Sequence, residues 1–299
     1  MVCCVRKIWS TVRLPPFLTH MQRTVVFLSL VNMRFLLKNA NDGGWAVGSF
    51  SVANMECIRG VVNAAEELRA PIILQIAEVR LPHSPLWLMA PMMLAAAKRA
   101  SVPVAVHLDH GKTLPCIREA LDAGFTSVMC DGSDLPIEEN MKLTEEVVSL
   151  ASKYDAAVEA EVGRVGRGED GSERSAQIAS LDDCFRMDQT GIDALAVGIG
   201  NAHGLYAASP QLRYDVLEQL SGRLRASLVM HGGTGLTDEQ FQRVISLGMR
   251  KINIATDVFM AQAGACRSSD IYRNISSSVD AVSQVVKRYI RLFGSEGKA

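Results

Sequence analysis

The sequence predicts an α/β protein, a closed (β/α)8 TIM barrel of eight parallel strands. Eight short Val-, Ile- and Ala-rich runs alternate with segments whose apolar residues recur at helical spacing, the pattern of repeated βα units. Three histidines, His110, His203 and His231, close separate apolar runs, PVAVHLDH, ALAVGIGNAH and SLVMH. Residues so far apart can share one ion only if the run ends meet, as C-terminal strand ends do on the rim of a parallel barrel. A length of 299 residues is ordinary for one such barrel.

Residues 1–28 differ from the rest. They carry some positive charge and lead into a short apolar stretch, 25–31, too short to span a bilayer and lacking a small-residue cleavage site. A poorly ordered extension is expected there, with one compact domain over 29–299. The strand candidates then follow at 46–52, 71–77, 103–109, 127–131, 156–162, 194–200, 227–232 and 251–257. Between them lie helical patterns such as MECIRGVVNAAEELRA and LPIEENMKLTEEVVSLASKY, and a closing helical stretch spans 258–293. Strand-to-strand spacing fits βαβ units of roughly 30 residues. LWLMAPMMLAAAKRA, despite its Met and Trp content, has the spacing of a packing helix. The longest stretch without apolar periodicity, 163–180, follows the fifth strand and reads as a loop on the rim, either a lid or a solvated insertion.

Composition narrows the function. Lys and Arg number 31 against 32 Asp and Glu, with no basic run, so neither a nucleic-acid nor a membrane surface is expected and the partner should be small. Seven cysteines lie scattered without a CxxC pair, which reads as reduced thiols in a cytoplasmic protein.

The polar residues in the apolar runs carry the chemistry. Three imidazoles at three strand ends read as a Zn²⁺ site with a position left open for substrate. Asp109 precedes His110 where a buried strand has no structural use for a carboxylate; the chain is expected to turn there, bringing both to the rim. Glu159 and Glu161 alternate onto one face of the fifth strand, where two like charges need a cation or a proton. Asp131 closes the fourth strand. His231-Gly232-Gly233-Thr234-Gly235 ends the seventh run and Asn253 to Asp257 the eighth, the two places where barrels of this kind commonly bind phosphate through backbone N–H groups. Lys112 and Lys251 show no evident partner in the sequence, and Lys251 begins its strand at the end away from the rim.

HLDHG, SVMCDGSDLP, VEAEVG, NAHGLY, HGGTGL and KINIATD, in this order, resemble the class II, metal-dependent ketose-bisphosphate aldolases. The resemblance runs from about Leu30 to the C-terminus. It implies that His110, His203 and His231 hold a catalytic zinc and that Asp109 exchanges a proton with the aldehyde oxygen. Asp131 and Glu161 match carboxylates of alternative metal positions. Glu169, in GEDG, matches a loop glutamate that handles the proton at the nucleophilic carbon. Gly232, Gly233, Thr234, Asn253 and Thr256 match the phosphate and hydroxyketone site, and Gly204 with Gly232 a neighbouring Na⁺ or K⁺ site. The implied reaction is reversible cleavage of a phosphorylated ketose to dihydroxyacetone phosphate, or a similar unit, plus an aldehyde, through an enediolate that zinc stabilises. A homodimer or homotetramer is also implied. Phe50-Ser51 and Ala77-Glu78 depart from the family pattern where the sugars differ, which leaves the aldehyde open. Arg164, Arg167 and Arg174 in the loop read as solvated charges or as a seat for an anion. Two competing readings are a zinc hydrolase and a sugar-phosphate binding protein without turnover; the lid glutamate and the phosphate-type loops count against the first, the full set of catalytic groups against the second.

Overall fold

Each of the eight apolar runs forms a strand. In the computed structural model, which describes residues 29–166, 172, 175–206 and 210–299, these are β1 (Val47–Ser51), β2 (Ile72–Ala77), β3 (Val104–Gly111), β4 (Ser127–Cys130), β5 (Ala157–Val162), β6 (Ala194–Val197), β7 (Ser227–Met230) and β8 (Met249–Ile254). They pair in parallel in chain order, and β8 returns to β1, so the sheet closes into a barrel. Apart from Arg250, every strand residue is buried, which is why the runs are continuously apolar rather than alternating.

The outer ring is α2 (Met55–Glu67), α3 (Leu86–Arg99), α4 (Leu114–Ala123), α5 (Ile137–Ala151), α6 (Leu181–Met187), α7 (Tyr214–Leu220) and α8 (Asp238–Ser246). Their apolar stripes and the outward faces of the strands make one continuous core. α3 packs as its spacing predicts, burying Leu86, Met89, Ala90 and Met93, while Trp87 stays 69% exposed. The closing helical stretch is two helices, α9 (Thr256–Ala265) and α10 (Ile271–Leu292). The side chain of Asp270 accepts hydrogen bonds from the amides of Tyr272 and Arg273 and so starts the second one afresh.

A helix before the first strand, α1 (Met33–Gly43), closes the N-terminal mouth of the barrel. Met33, Leu36, Leu37 and Ala40 pack with Trp45 against Val47, Ile73, Ala105, Ala157, Ala194, Ala196 and Val229. Alanine at four of these strand positions leaves the room that the helix fills. The opposite mouth, at the C-terminal strand ends, is left to polar side chains. Residues 1–28 lie outside the described residues. The five described cysteines, Cys57, Cys116, Cys130, Cys184 and Cys266, are free thiols. Among the described residues no helix is long and apolar enough to cross a membrane.

Candidate metal centre and active site

Strand alternation alone would point Asp109 and His110 to opposite faces. The structure resolves this with a bulge inside β3 rather than with a turn at its end. Leu108 pairs with Val128 and Gly111 with Cys130, so β3 spends one more residue than β4 over the same interval. His110 takes up the slack at φ 45°, in the left-handed region that a non-glycine residue rarely occupies. Gly111 must follow, because a Cβ there would lie 2.4 Å from the Met129 carbonyl oxygen. Both Asp109 and His110 are thereby buried on the barrel interior.

His231 directly follows β7. His203 does not end its strand: β6 stops at Val197, and His203 lies in the loop beyond. That loop is anchored by Asn201, whose side chain accepts from the Ile199 amide (2.9 Å) and donates to the His231 carbonyl (2.8 Å). The His203 amide also donates to Gly166 at 2.9 Å. The three rings converge, with centroid separations of 5.0 Å (His110 to His203), 4.6 Å (His110 to His231) and 6.0 Å (His203 to His231). One nitrogen from each lies within 4.8 Å of the others.

Carboxylates set which nitrogens face inward. Nδ1–H of His110 donates to Asp131 (2.8 Å) and Nε2–H of His231 to Glu159 (2.8 Å). This leaves His110 Nε2 and His231 Nδ1 buried without hydrogen-bond partners among the described residues. A carboxylate behind each imidazole and a lone pair in front of it is the donor set of a zinc-type ion. Glu161 Oε2, also buried and without a hydrogen-bond partner, lies 3.6 Å from His231 Nδ1, and His110, Asp131 and Glu161 form a second convergent group.

The electrostatics express the same demand for positive charge. Burial pushes the His110 imidazole down, but the charge of Asp109 and the hydrogen bond and charge of Asp131 outweigh it and raise it to about 10. Asp131 is raised by burial yet held well below the usual carboxylate range by His110 and Lys112. Burial and the Asp131 charge push Glu161 up to about 8. His231 is lowered, first by burial and then by His110. A divalent ion held among these groups would supply the charge that a proton otherwise brings.

Below the histidines lies a layer of polar side chains. Asp109 accepts from Gln75 Nε2 (2.9 Å) and from Asn253 Nδ2 (3.1 Å), one amide on each oxygen. Gln75 is held by Ser49, which donates to its Oε1, and by Ser51, which accepts from its Nε2 at 3.1 Å. Lys251 Nζ donates to Asn253 Oδ1 (2.7 Å) and pairs with Glu159 Oε2 (2.9 Å). Lys251 therefore has partners after all and is fully buried within the barrel, since β8 begins at Met249 and carries it inward. Lys112 likewise pairs with Asp131 at 2.8 Å. Glu159 and Glu161 do share a face: Lys251 supplies the cation for one, and a raised proton affinity suits the other.

The Gly-rich loop after β7 holds Gly232 at φ 64°, with the Ala202 carbonyl oxygen 2.2 Å from where a Cβ would stand. Thr234 Oγ1 is buried without a hydrogen-bond partner among the described residues. Thr256 opens α9. Gly204 has φ 78°, and the Gly232 carbonyl accepts from the Tyr206 hydroxyl at 2.8 Å. The loop after β5 is stapled at its base: Arg164 and Gln177 form a bridge, and the Arg164 guanidinium pairs with Asp134 (3.2 Å). Glu169, Arg167 and Arg174 lie outside the described residues. The Glu78 carboxylate accepts from the amides of Lys112 (2.6 Å) and Thr113 (3.1 Å). Gln75, Asn201 and Lys251 were not legible as site residues in the sequence, although a Gln or Lys in an otherwise apolar buried strand is itself a signal.

Comparisons with known proteins place the chain among aldolases. A protein 40% identical, covering 91% of this chain and 99% of its own length, is the 6-phospho-5-dehydro-2-deoxy-D-gluconate aldolase of Halalkalibacterium halodurans. The fructose-bisphosphate aldolase of Streptococcus pneumoniae is 37% identical over 91% of this chain and 100% of that one. Among solved structures, the YdjI aldolase of Escherichia coli K12 superposes with a TM-score of 0.83 at 33% identity, covering 90% of this chain and 99% of its own. The profile of the family described as fructose-bisphosphate aldolase class-II matches residues 31–298, and the chain belongs to that family.

Proposed function

We propose that this protein is a zinc-dependent aldolase that cleaves a phosphorylated ketose to dihydroxyacetone phosphate and an aldehyde. The observation that carries the reading is the pair of buried, unpartnered nitrogens on His110 and His231, each backed by a carboxylate, converging with His203 beside Asp109. Both quoted relatives are named as aldolases of phosphorylated sugars. When bound, zinc supplies a Lewis acid that polarises the ketone oxygen.

The remaining work falls to side chains. Asp109, held on both oxygens by amides of Gln75 and Asn253, takes the proton of the substrate's C4 hydroxyl as that group becomes the aldehyde. Thr234 and the backbone of Gly232 and Gly233 bind the phosphate, with Thr256 and Asn253 on the hydroxyketone. Glu169 handles the proton at C3.

The test is condensation of dihydroxyacetone phosphate with a panel of aldehydes before and after a chelator. Product that vanishes on chelation and returns with Zn²⁺ supports the reading, and turnover indifferent to chelation overturns it. Solvent exchange of a dihydroxyacetone phosphate C–H hydrogen separates the two acid–base roles. Exchange should survive in Asp109→Ala and be lost in Glu169→Ala; the reverse pattern means that the roles are interchanged.

A further inference from the structure

The two loops proposed to hold the phosphate run into helices that α10 grips. The loop after β7 leads into α8 and the loop after β8 into α9, and the Gly233 amide donates to the Asn253 carbonyl (3.3 Å), joining one loop to the other. Arg288 and Tyr289 are neighbours on α10. Arg288 pairs with Asp238, the first residue of α8 (2.6 Å), and the Tyr289 hydroxyl donates to Asp257, the second residue of α9.

The two contacts differ in depth. Arg288 and Asp238 are half exposed, so water screens their attraction. Tyr289 is buried, and its ring is fixed against Phe241 of α8 and Phe293 just beyond α10, with centroids 5.7 and 5.5 Å away. Burial, and then the Asp257 carboxylate, push the Tyr289 phenol up from its ordinary value, so it stays protonated and donates.

The helix ends differ as well. The start of α8 is closed by a capping box, in which the side chains of Thr237 and Gln240 each accept from the other residue's amide. The cap residue of α9 is Ala255, so no side chain caps its first amides, and such amides suit an anion. An acid in the first turn is ordinarily drawn to them. Asp257 is that acid, and a carboxylate turned to those amides competes with phosphate for the same donors. Its Oδ2 is taken by Tyr289 instead. Thr234 Oγ1, in the loop after β7, is a second polar group there that the protein leaves unpaired among the described residues.

We infer that Tyr289 is a positioning residue for phosphate: its hydroxyl holds the Asp257 carboxylate off the first amides of α9 and leaves them to the substrate's phosphate. The inference rests on the aldolase reading, which puts phosphate at these two loops. Tyr289 touches no reacting atom. Its loss should therefore show in affinity for the phosphate and not in the rate of the chemistry.

The experiment measures by calorimetry the binding of glycerol 3-phosphate, which carries the phosphate but no ketone, to the zinc-loaded protein. In Tyr289→Phe the Kd should rise about 10-fold, the worth of a hydrogen bond to a charged group, as the released carboxylate turns to the amides. Adding Asp257→Asn to Tyr289→Phe should bring the Kd back toward the wild-type value. Arg288→Met removes the exposed pair and the cation over the Tyr289 ring but not the hydroxyl, and should leave the Kd near that of the wild type. Turnover gives the matching split. For solvent exchange of a dihydroxyacetone phosphate hydrogen, Tyr289→Phe should raise KM and keep kcat, and exchange of unphosphorylated dihydroxyacetone should not change. An unchanged Kd in Tyr289→Phe overturns the inference, as does a loss that Asp257→Asn does not repair, which would make Tyr289 a packing residue only. An equal loss in Arg288→Met, or with dihydroxyacetone, overturns it too. Wild-type exchange tells the two failures apart. Exchange that is indifferent to Tyr289→Phe defeats this inference alone, and absence of exchange defeats the aldolase reading and the inference with it.

Discussion

At the scale of single residues the site is a chain of buried partners. Ser49, Gln75, Asp109, Asn253, Lys251, Glu159 and His231 are linked in that order by hydrogen bonds and one ion pair, so the proposed acid–base carboxylate and a proposed metal-binding imidazole are oriented by one network. Each member is nearly or fully excluded from water, where an unpartnered charge is most costly. Lys251→Met leaves Glu159 without its cation, and the expected cost is about 3–5 kcal/mol in chemical denaturation. Asp131→Asn tests the other end. It removes the carboxylate behind His110, and zinc affinity, read by competition with a chelating dye, should weaken about 10- to 100-fold. An unchanged affinity would remove His110 from the ligand set.

At the scale of elements, β3 shows what the sequence could and could not say. The run PVAVHLDH identifies the strand and its functional end, yet alternation cannot place Asp109 and His110 on one face. The bulge that does so depends on pairing with β4, a contact between residues distant in the chain. Gln75 and Lys251 escaped for a related reason. Whether a polar residue in a buried strand points into the barrel or out to the helices is a matter of register, and register is set by neighbours. His203 sits beyond its strand because Asn201 and Gly166 hold the loop, partners that no apolar periodicity reveals. The strands themselves were legible because parallel strands buried on both faces are mostly apolar, and here the polar residues within them are few and spaced. α1 belongs to the same scale: it packs on barrel alanines far from the histidines. Leu36→Ala should therefore cost about 2–5 kcal/mol, seen as a lowered Tm, with kcat preserved below the transition.

At the scale of the whole molecule the barrel is layered along its axis. An apolar plug closes the N-terminal mouth, a polar network fills the middle, and three imidazoles, two of them backed by carboxylates, occupy the rim. The plug and the outer helices supply the stability that allows so many buried polar groups to be held in place. On the proposed reading the rim joins two half-sites: the histidines with the Gly-rich loop after β7, and Asp109 with the Gln75 and Asn253 amides that hold it. His231 belongs to the first half by sequence and to the polar network through Glu159, which is how the two halves are kept in register. The most direct test of this account is hydrogen exchange between dihydroxyacetone phosphate and deuterated solvent, followed by NMR on the protein stripped by a chelator and then reloaded with Zn²⁺. The expected result is exchange of one C–H hydrogen with the reloaded protein and none with the stripped one. Exchange that persists at full rate after stripping would contradict the account.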